Sequence, residues 1–405
     1  MKLDDGDKRI LDGSEGTAKR MAMEMLASLG KIYGAEKLIP VKSGHVVVSS
    51  RTHGDTGLEW VEEIAATGAK VNIPTTMNTI SVDRTRDLGL PVEWRSKQLR
   101  LNDAYMRMGC YGTCSCTPYF YGFVPQYKEH IAWTESSAVV FINSVLGARN
   151  NREGAPSAFA ASLIGKTPYY GLHQDENRRT QILFKVTTRV RDLADIGAMG
   201  AYVGSILGTR TPAFSGLHPL TMEDHVYLGA ALASSGGVAL YHVLGQTPDA
   251  LVEGDNILVP GCEVVELGKK ALESGYERLT SNTDYAVDCV AIGCPHLTLN
   301  QVAEVAALLD GKKVKLGVTV WIHTSAAVKA MATQIGLMQI IERSGAVLTQ
   351  DICTILTMPE SLGLTSLATN SAKMAFYAPG ANKLKAWYGS LYQCIEAAVT
   401  GNWKG

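Results

Sequence analysis

From Tyr285 onward the sequence alternates between β-branched apolar runs and helical patterns: VDCVAIG, LNQVAEVAALLDG, KLGVTVWI, SAAVKAMATQIG, then a helix or strand to AVLTQDIC. Parallel strands need long crossovers, so this alternation predicts a parallel α/β sheet with helices on its faces. The functional edge of such a sheet is the set of strand C-termini. Cys294, His323 and Cys353 all fall at or near that edge.

A third thiol belongs with these two. Met108–Phe123, MGCYGTCSCTPYFYGF, packs three of the chain's eight cysteines into seven positions and follows them with Thr-Pro. Pro118 drives Thr117 toward an extended or turn conformation, so Cys116 is expected just past the end of an element. The C-x3-C-x-C spacing offers only three local ligands, with one pair awkwardly close for a tetrahedral zinc knuckle. One thiolate from each of three strand ends can instead converge on an iron–sulfur cluster.

Composition bounds the remaining choices. A chain of 405 residues exceeds one ordinary core, and we expect lobes at 1–185, 186–280 and 281–405, with the polar stretch from Pro248 to Thr280 marking a boundary. A net charge of −1 argues against nucleic acid or an anionic membrane as the main partner. The sequence has no long apolar span, and its N-terminus, MKLDDGDKR, has no signal segment. A cytoplasmic location follows as an expectation, and with it reduced thiols.

In chain order, Ser14–Tyr33 reads as a helix with Met21, Met25, Leu26, Leu29 and Ile32 on its buried face. A strand ending in HVVVSS follows, then the loop RTHGDTG, a helix from about Thr56 to Thr67, and a strand over Ala69–Ile73. Thr75, Thr76, Asn78, Ser81 and Asp83 form a polar cluster at that strand's end, either an ordinary turn or part of a site. Ser96–Met108 is predicted helical, with Ser96 as its cap. Asn143 and Ser144 interrupt the apolar run AVVFI, where they are either paired core groups or site residues. Arg149 to Arg152 is a polar cluster able to hold a carboxylate, although a solvated loop has the same composition. His173 and His242 read as hydrogen-bonded structural groups. Lys373 is either a surface ammonium or, if buried near the thiols, a partner for a substrate anion or a base of lowered pKa.

CTPYF, HIAWTESSAVVFINSVLGARNNREG, GKTPYYGLHQDENR, IGCPH and ATNSAKMAFY together resemble the aconitase X family over nearly the whole chain. The resemblance implies an aconitase-like multi-lobe α/β fold with the cluster at strand C-terminal ends. It implies a hydro-lyase whose iron–sulfur cluster, [4Fe-4S] or a smaller [3Fe-4S] or [2Fe-2S] form, is held by Cys116, Cys294 and Cys353. It further implies substrate contacts at Val48, Ser49, Asn78, Asn143, Ser144 and Lys373, to which the residue reading adds Arg149 as a carboxylate donor. Lys373 and Ser144 are the expected catalytic side chains, with a serine from a partner as the other candidate base. Cys110, Cys114, Cys262, Cys289 and Cys394 have no family role and read as packing groups.

Two activities in the family bear on the substrate, a small hydroxy acid. NTISVDR resembles the cis-3-hydroxy-L-proline dehydratases, which makes that substrate the first expectation. NNREG with GKTPYYGLHQDENR resembles the large subunits acting on mevalonate 5-phosphate, in which Asn-Pro stands at the place of Asn78-Thr79. Family members carry a small swivelling domain, fused or separate; the sequence through Gly405 does not contain it, so a small-subunit partner in a heterodimer is expected. The alternative from another class is a non-catalytic metal-binding scaffold for a partner subunit.

Overall fold

The protein is described by a computed structural model covering residues 1–404. Three parallel sheets organise it. The first lobe runs α1 (Asp5–Leu11), α2 (Thr17–Ile32), β1 (Leu38–Pro40), β2 (Gly44–Val46), α3 (Ser50–Ala66), β3 (Thr75–Met77), α4 (Val92–Arg107), β4 (Ala132–Trp133), α5 (Ser136–Ser144), α6 (Ala155–Ile164) and β5 (Lys166–Pro168). Its central sheet has the order β3-β2-β4, all parallel, and β1 pairs with β5 apart from it.

Several sequence expectations shift here. The buried face of α2 is Ala18, Ala22, Met23, Leu26 and Gly30, whereas Ile32 is 74% exposed. Small residues let neighbours approach: a Cβ on Gly30 would strike Met1 and Pro168. The strand expected over Ala69–Ile73 forms instead at Thr75–Met77, because that segment pairs with β2 in the register Gly44↔Thr75 and its hydroxyls find partners in Ile73 O and His45 Nδ1. Helix α3 starts six residues earlier than expected, capped by Ser49 Oγ and kinked at Gly54, whose φ of 63° favours glycine. Helix α4 starts after Pro91, so Ser96 lies inside it rather than capping it.

The second lobe comprises β6 (Thr180–Val186), α7 (Leu193–Leu207), β7 (Pro212–Ser215), α8 (Met222–Gly236), β8 (His242–Val243), α9 (Pro248–Glu253), β9 (Leu258–Leu267) and α10 (Lys269–Leu279). The sheet order is β8-β7-β6-β9, all parallel. A division between residues 185 and 186 would therefore cut through β6, which belongs to this sheet. The polar Pro248–Thr280 stretch, expected as a boundary, forms α9, β9 and α10 inside this lobe; its polarity reflects β9 lying at the sheet edge with most side chains exposed or half-buried. Helices α7 and α8 meet at glycines, where a Cβ on Gly236 would run into the Gly204 backbone.

The third lobe carries β10 (Cys289–Leu297), α11 (Leu299–Leu309), β11 (Thr319–Thr324), α12 (Ala326–Gln334), α13 (Leu337–Ser344), β12 (Val347–Gln350), β13 (Ser366–Thr369), α14 (Ala372–Asn382), β14 (Lys385–Tyr388) and α15 (Leu391–Thr400). Its five strands are parallel in the order β12-β11-β10-β13-β14. The chain runs outward from β10 to β12, then returns to the other side of β10 as β13. That reversal opens a crevice at the carboxyl ends of β10 and β13, where open α/β sheets bind ligands.

The first and third lobes are stitched edge to edge. Ile80 N donates to Asp351 O at 2.8 Å, Cys353 N to Ile80 O at 3.3 Å, and Arg84 pairs with buried Asp351 at 2.8 Å. A second ionic knot joins the first lobe to the second. Arg178 Nε lies 2.9 Å from Asp249, and Arg149 lies 3.2 Å from Asp249 and 2.7 Å from Asp175. Burial alone would raise the Asp249 pKa, but Arg178 and Arg149 outweigh it and hold the carboxyl below its ordinary range. The ionised carboxylate therefore stabilises the fold fully above the ordinary carboxyl value, and this contribution is lost as pH falls through the lowered folded value. Asp249→Ala leaves two guanidiniums without their shared partner and should cost about 3–5 kcal/mol; urea unfolding should also show a flatter acid limb for the variant than for wild type.

Candidate active site

The carboxyl ends of the first-lobe sheet face those of the third-lobe sheet across a cleft of about 350 Å³. Val47 follows β2, Asn78 and Thr79 follow β3, and Thr134, Glu135 and Ser136 follow β4; Cys353 follows β12, and Lys373 lies in the first turn of α14 after β13. Three of the five non-glycine residues with positive φ are Cys114, Glu135 and Asp351, each in the cleft wall or within two residues of a predicted cysteine ligand. Such backbone is held only where surrounding contacts over-determine it.

Glu135 and Lys373 form the polar centre of the wall. Lys373 Nζ is paired with Glu135 Oε1, while Glu135 Oε2 accepts from Ala138 N and Ser137 Oγ, each at 2.7 Å, and so caps α5. Burial alone would lower Lys373, but the Glu135 carboxylate outweighs it and holds the amine above the ordinary lysine range. Burial would raise Glu135, and Lys373 in turn holds it below the ordinary glutamate range. Of the two roles the sequence leaves open for a buried Lys373, this pairing supports the charged partner of an anion over the base of lowered pKa.

The three predicted cysteine ligands approach the same wall. Cys294 lies in β10 beyond Ile292, where the regular pairing with β11 breaks off. Ser371 Oγ donates to Cys294 O across the crevice between β10 and the β13–α14 turn. Cys294 and Cys353 lie close enough to interact, which draws the Cys353 thiol down and, with burial, drives Cys294 up. Cys116 Sγ accepts from His296 N at 3.3 Å, while burial pushes its thiol pKa up. His296 also reaches Ser115 Oγ through Nδ1 at 3.2 Å and Ile352 O through Nε2 at 2.8 Å, joining the segments that carry the other two cysteines. Burial lowers its pKa to about 4, so it is neutral near pH 7. The Cys353 carbonyl accepts from Leu356 N at 2.9 Å and Thr357 N at 3.1 Å, which fixes the turn that carries the thiol.

These features fit a shared iron–sulfur cluster. The donors are thiols from three separate segments, supported by the His296 N–H on the Cys116 sulfur and a nearby ammonium, both of which favour thiolate. Among the described residues no three His, Cys, Asp or Glu side chains close on a single ion. A cluster distributes its ligands over several irons, so this spacing is not against it.

Of the predicted substrate contacts, Asn78 and Lys373 line the cleft, and buried Asn78 Oδ1 has no partner. Val48 and Ser49 are buried immediately behind Val47, with Ser49 occupied as the α3 cap. Asn143, Ser144 and Arg149 are not brought to the cleft. Asn143 holds Asn150 and Arg178, Ser144 Oγ accepts from Tyr241 N at 2.9 Å, and Arg149 is taken by Asp175 and Asp249. The first two are the paired core groups that the sequence allowed as one reading. Glu135, Ser136 and Thr52 take places in the wall that sequence reasoning missed; the available signal was an acid in TESS immediately before an apolar helical run.

Family models for the Aconitase X first, second and third domains match residues 1–176, 180–277 and 287–400. The chain belongs to the aconitase X family. Its aconitase X relatives include the phosphomevalonate dehydratase large subunit of Methanocaldococcus jannaschii, 39% identical over 98% of this chain and 100% of that protein. The cis-3-hydroxy-L-proline dehydratase of Pseudomonas aeruginosa is 34% identical over 99% of this chain and 70% of that protein. The crystal structure of Thermococcus kodakaraensis aconitase X in its holo-form superposes with a TM-score of 0.90 at 38% identity, covering 98% of this chain and 100% of that one. The family is one of hydro-lyases.

Removing either member of the Lys373–Glu135 pair strands a buried charge. Lys373→Met and Glu135→Gln should each destabilise the chain by about 3–5 kcal/mol, and the double variant by clearly less than their sum; a double-mutant cycle by urea unfolding reads this directly.

Proposed function

We propose that this aconitase X chain is the large, catalytic subunit of a dehydratase acting on mevalonate 5-phosphate, with its iron–sulfur cluster held by Cys116, Cys294 and Cys353. The observation that carries the substrate is identity: of five relatives named phosphomevalonate dehydratase large subunit, four lie at 36% to 40% and one at 32%, against 34% and 32% for those named cis-3-hydroxy-L-proline dehydratase. The name "large subunit" on those relatives supports a small-subunit partner.

When bound, a cluster with one iron free of protein ligands supplies a Lewis acid for a departing hydroxyl. The rest falls to the chain's own side chains. Lys373, fixed by Glu135, presents an ammonium to the substrate carboxylate, and Asn78 lines the cleft as a further polar group. Arg152, exposed in the cleft lining with one nitrogen on Gly237 O, supplies a guanidinium for the phosphate. With Lys373 held charged, proton abstraction is assigned to a group that the small subunit brings to the open side. Thr79 in the wall, within the hydroxyproline-like NTISVDR, favours cis-3-hydroxy-L-proline as the second reading.

Anaerobic purification with a co-expressed small subunit should yield a brown complex that releases water from mevalonate 5-phosphate. Cys353→Ser should lose colour and activity together. Arg152→Ala should raise KM for the phosphate ester by about tenfold or more, as expected for one charge-assisted contact. Faster turnover of cis-3-hydroxy-L-proline would move the assignment to the second substrate. A colourless zinc protein inert toward both would leave the scaffold reading.

A further inference from the structure

Arg51 sits in the first turn of α3, two residues after Ser49, and its guanidinium leaves the first lobe altogether. Nη1 donates to Thr357 O; Nη2 donates to Ala381 O and lies 3.3 Å from Glu360 Oε1, so its partners stand 306 to 330 positions away in the third lobe. The side chain is 24% exposed and lies behind the cleft wall, on the side that Trp94 and Glu360 line. The pair with Glu360 alone would be an ordinary contact between lobes. The two carbonyls carry more, because each belongs to a segment that enters the cleft.

Thr357 closes the turn that bears Cys353. Its N–H goes to Cys353 O, its Oγ1 donates to Thr354 O at 2.8 Å, and its own carbonyl also accepts from Asn382 Nδ2 at 3.3 Å. Ile355 and Leu356, within this turn, line the cleft. Ala381 lies in the last turn of α14, where a cation on the terminal carbonyls is favoured by the helix dipole, and the first turn of the same helix carries Lys373. On its own side Arg51 stands between Ser49, the cap of α3, and Thr52, which lines the cleft. One guanidinium therefore joins the loop after β2, the turn of Cys353 and the helix of Lys373. Its donors fork in fixed directions and can serve two carbonyls at once, whereas an ammonium acts as a point charge.

We propose that Arg51 is a positioning residue of the dehydratase: it fixes the Cys353 turn against the loop after β2, so that the thiol stays in place for the cluster and the two sides of the cleft keep their spacing. This deepens the lyase reading and rests on its cluster ligand at Cys353. Lysine at this position keeps the charge and the pairing with Glu360 while losing the fork onto the two carbonyls.

Thiol labelling of the full, metal-free chain separates positioning from general stability and needs neither iron nor turnover. In Arg51→Lys, checked for folding by circular dichroism, alkylation of partly exposed Cys353 by iodoacetamide, followed peptide by peptide in the mass spectrometer, should run about tenfold faster than in wild type, the weight of one charge-assisted hydrogen bond. Partly exposed Cys262 and buried Cys394 should label as in wild type. Glu360→Gln, which leaves both carbonyl contacts, should label Cys353 at the wild-type rate. After anaerobic reconstitution, Arg51→Lys should also release iron to a chelator about tenfold faster. Cys353 labelling at the wild-type rate, equal acceleration at Cys262 and Cys394, the same effect from Glu360→Gln, or unchanged iron release overturns the proposal. A wild-type chain that takes up no iron is the separate failure of the lyase reading, visible without any variant, and removes this proposal with it.

Discussion

The ion pair between Lys373 and Glu135 ties the two halves of the cleft into one object. Glu135 comes from the start of α5 in the first lobe and Lys373 from α14 in the third, so the pair can exist only when both lobes are in place. Each charge is expensive to bury alone and is tolerated because the other is there, with Ser137 and Ala138 taking the remaining carboxylate lone pairs. The same pair sets the chemistry, since it keeps an ammonium in a wall where a lone lysine would lose its proton.

Around that pair the architecture uses one device twice. In both the first and third lobes, the loops after parallel strands carry the polar groups, and the two sheets turn these edges toward each other. The third sheet adds its reversal of strand order at β10 and β13, which opens the backbone beside Cys294 and leaves room for the turn bearing Ser371 and Lys373. His296 completes the arrangement by reaching the Cys116 segment with its backbone N–H and Nδ1, and the Cys353 segment with Nε2. The cysteines are therefore positioned by a buried neutral imidazole as well as by their own strands.

The sequence was most legible where local period and tertiary role agree. The alternation after Tyr285 was readable because β10, at the middle of the covered parallel sheet, is buried along its whole length, and the α11 crossover carries its own cap, Thr298 with Gln301. In the first lobe the strands have only two or three residues, and β3 opens on two threonines, so Thr75–Met77 looked like a turn. Helix α2 misled in part for a related reason: three of its five buried positions are alanine or glycine, so a reading weighted toward large side chains finds Leu26 but adds Ile32, which is exposed.

By itself the sequence determined the parallel third sheet, the placement of Cys294 and Cys353 toward one edge of that sheet and the family, because these depend on residue type and spacing along the chain; Cys116 lies in a loop after α4 rather than at a strand end. Only the tertiary structure decided which polar residues reach the cleft. Asn143, Ser144 and Arg149 stand in a motif as suggestive as that around Glu135, yet each is consumed by a neighbour distant in sequence, Tyr241, Arg178 or Asp249, whereas Glu135 meets Lys373. Whether a buried polar group is paired inside the protein or left facing a ligand depends on partners up to 238 positions away, and that pairing is fixed only when the lobes close on one another.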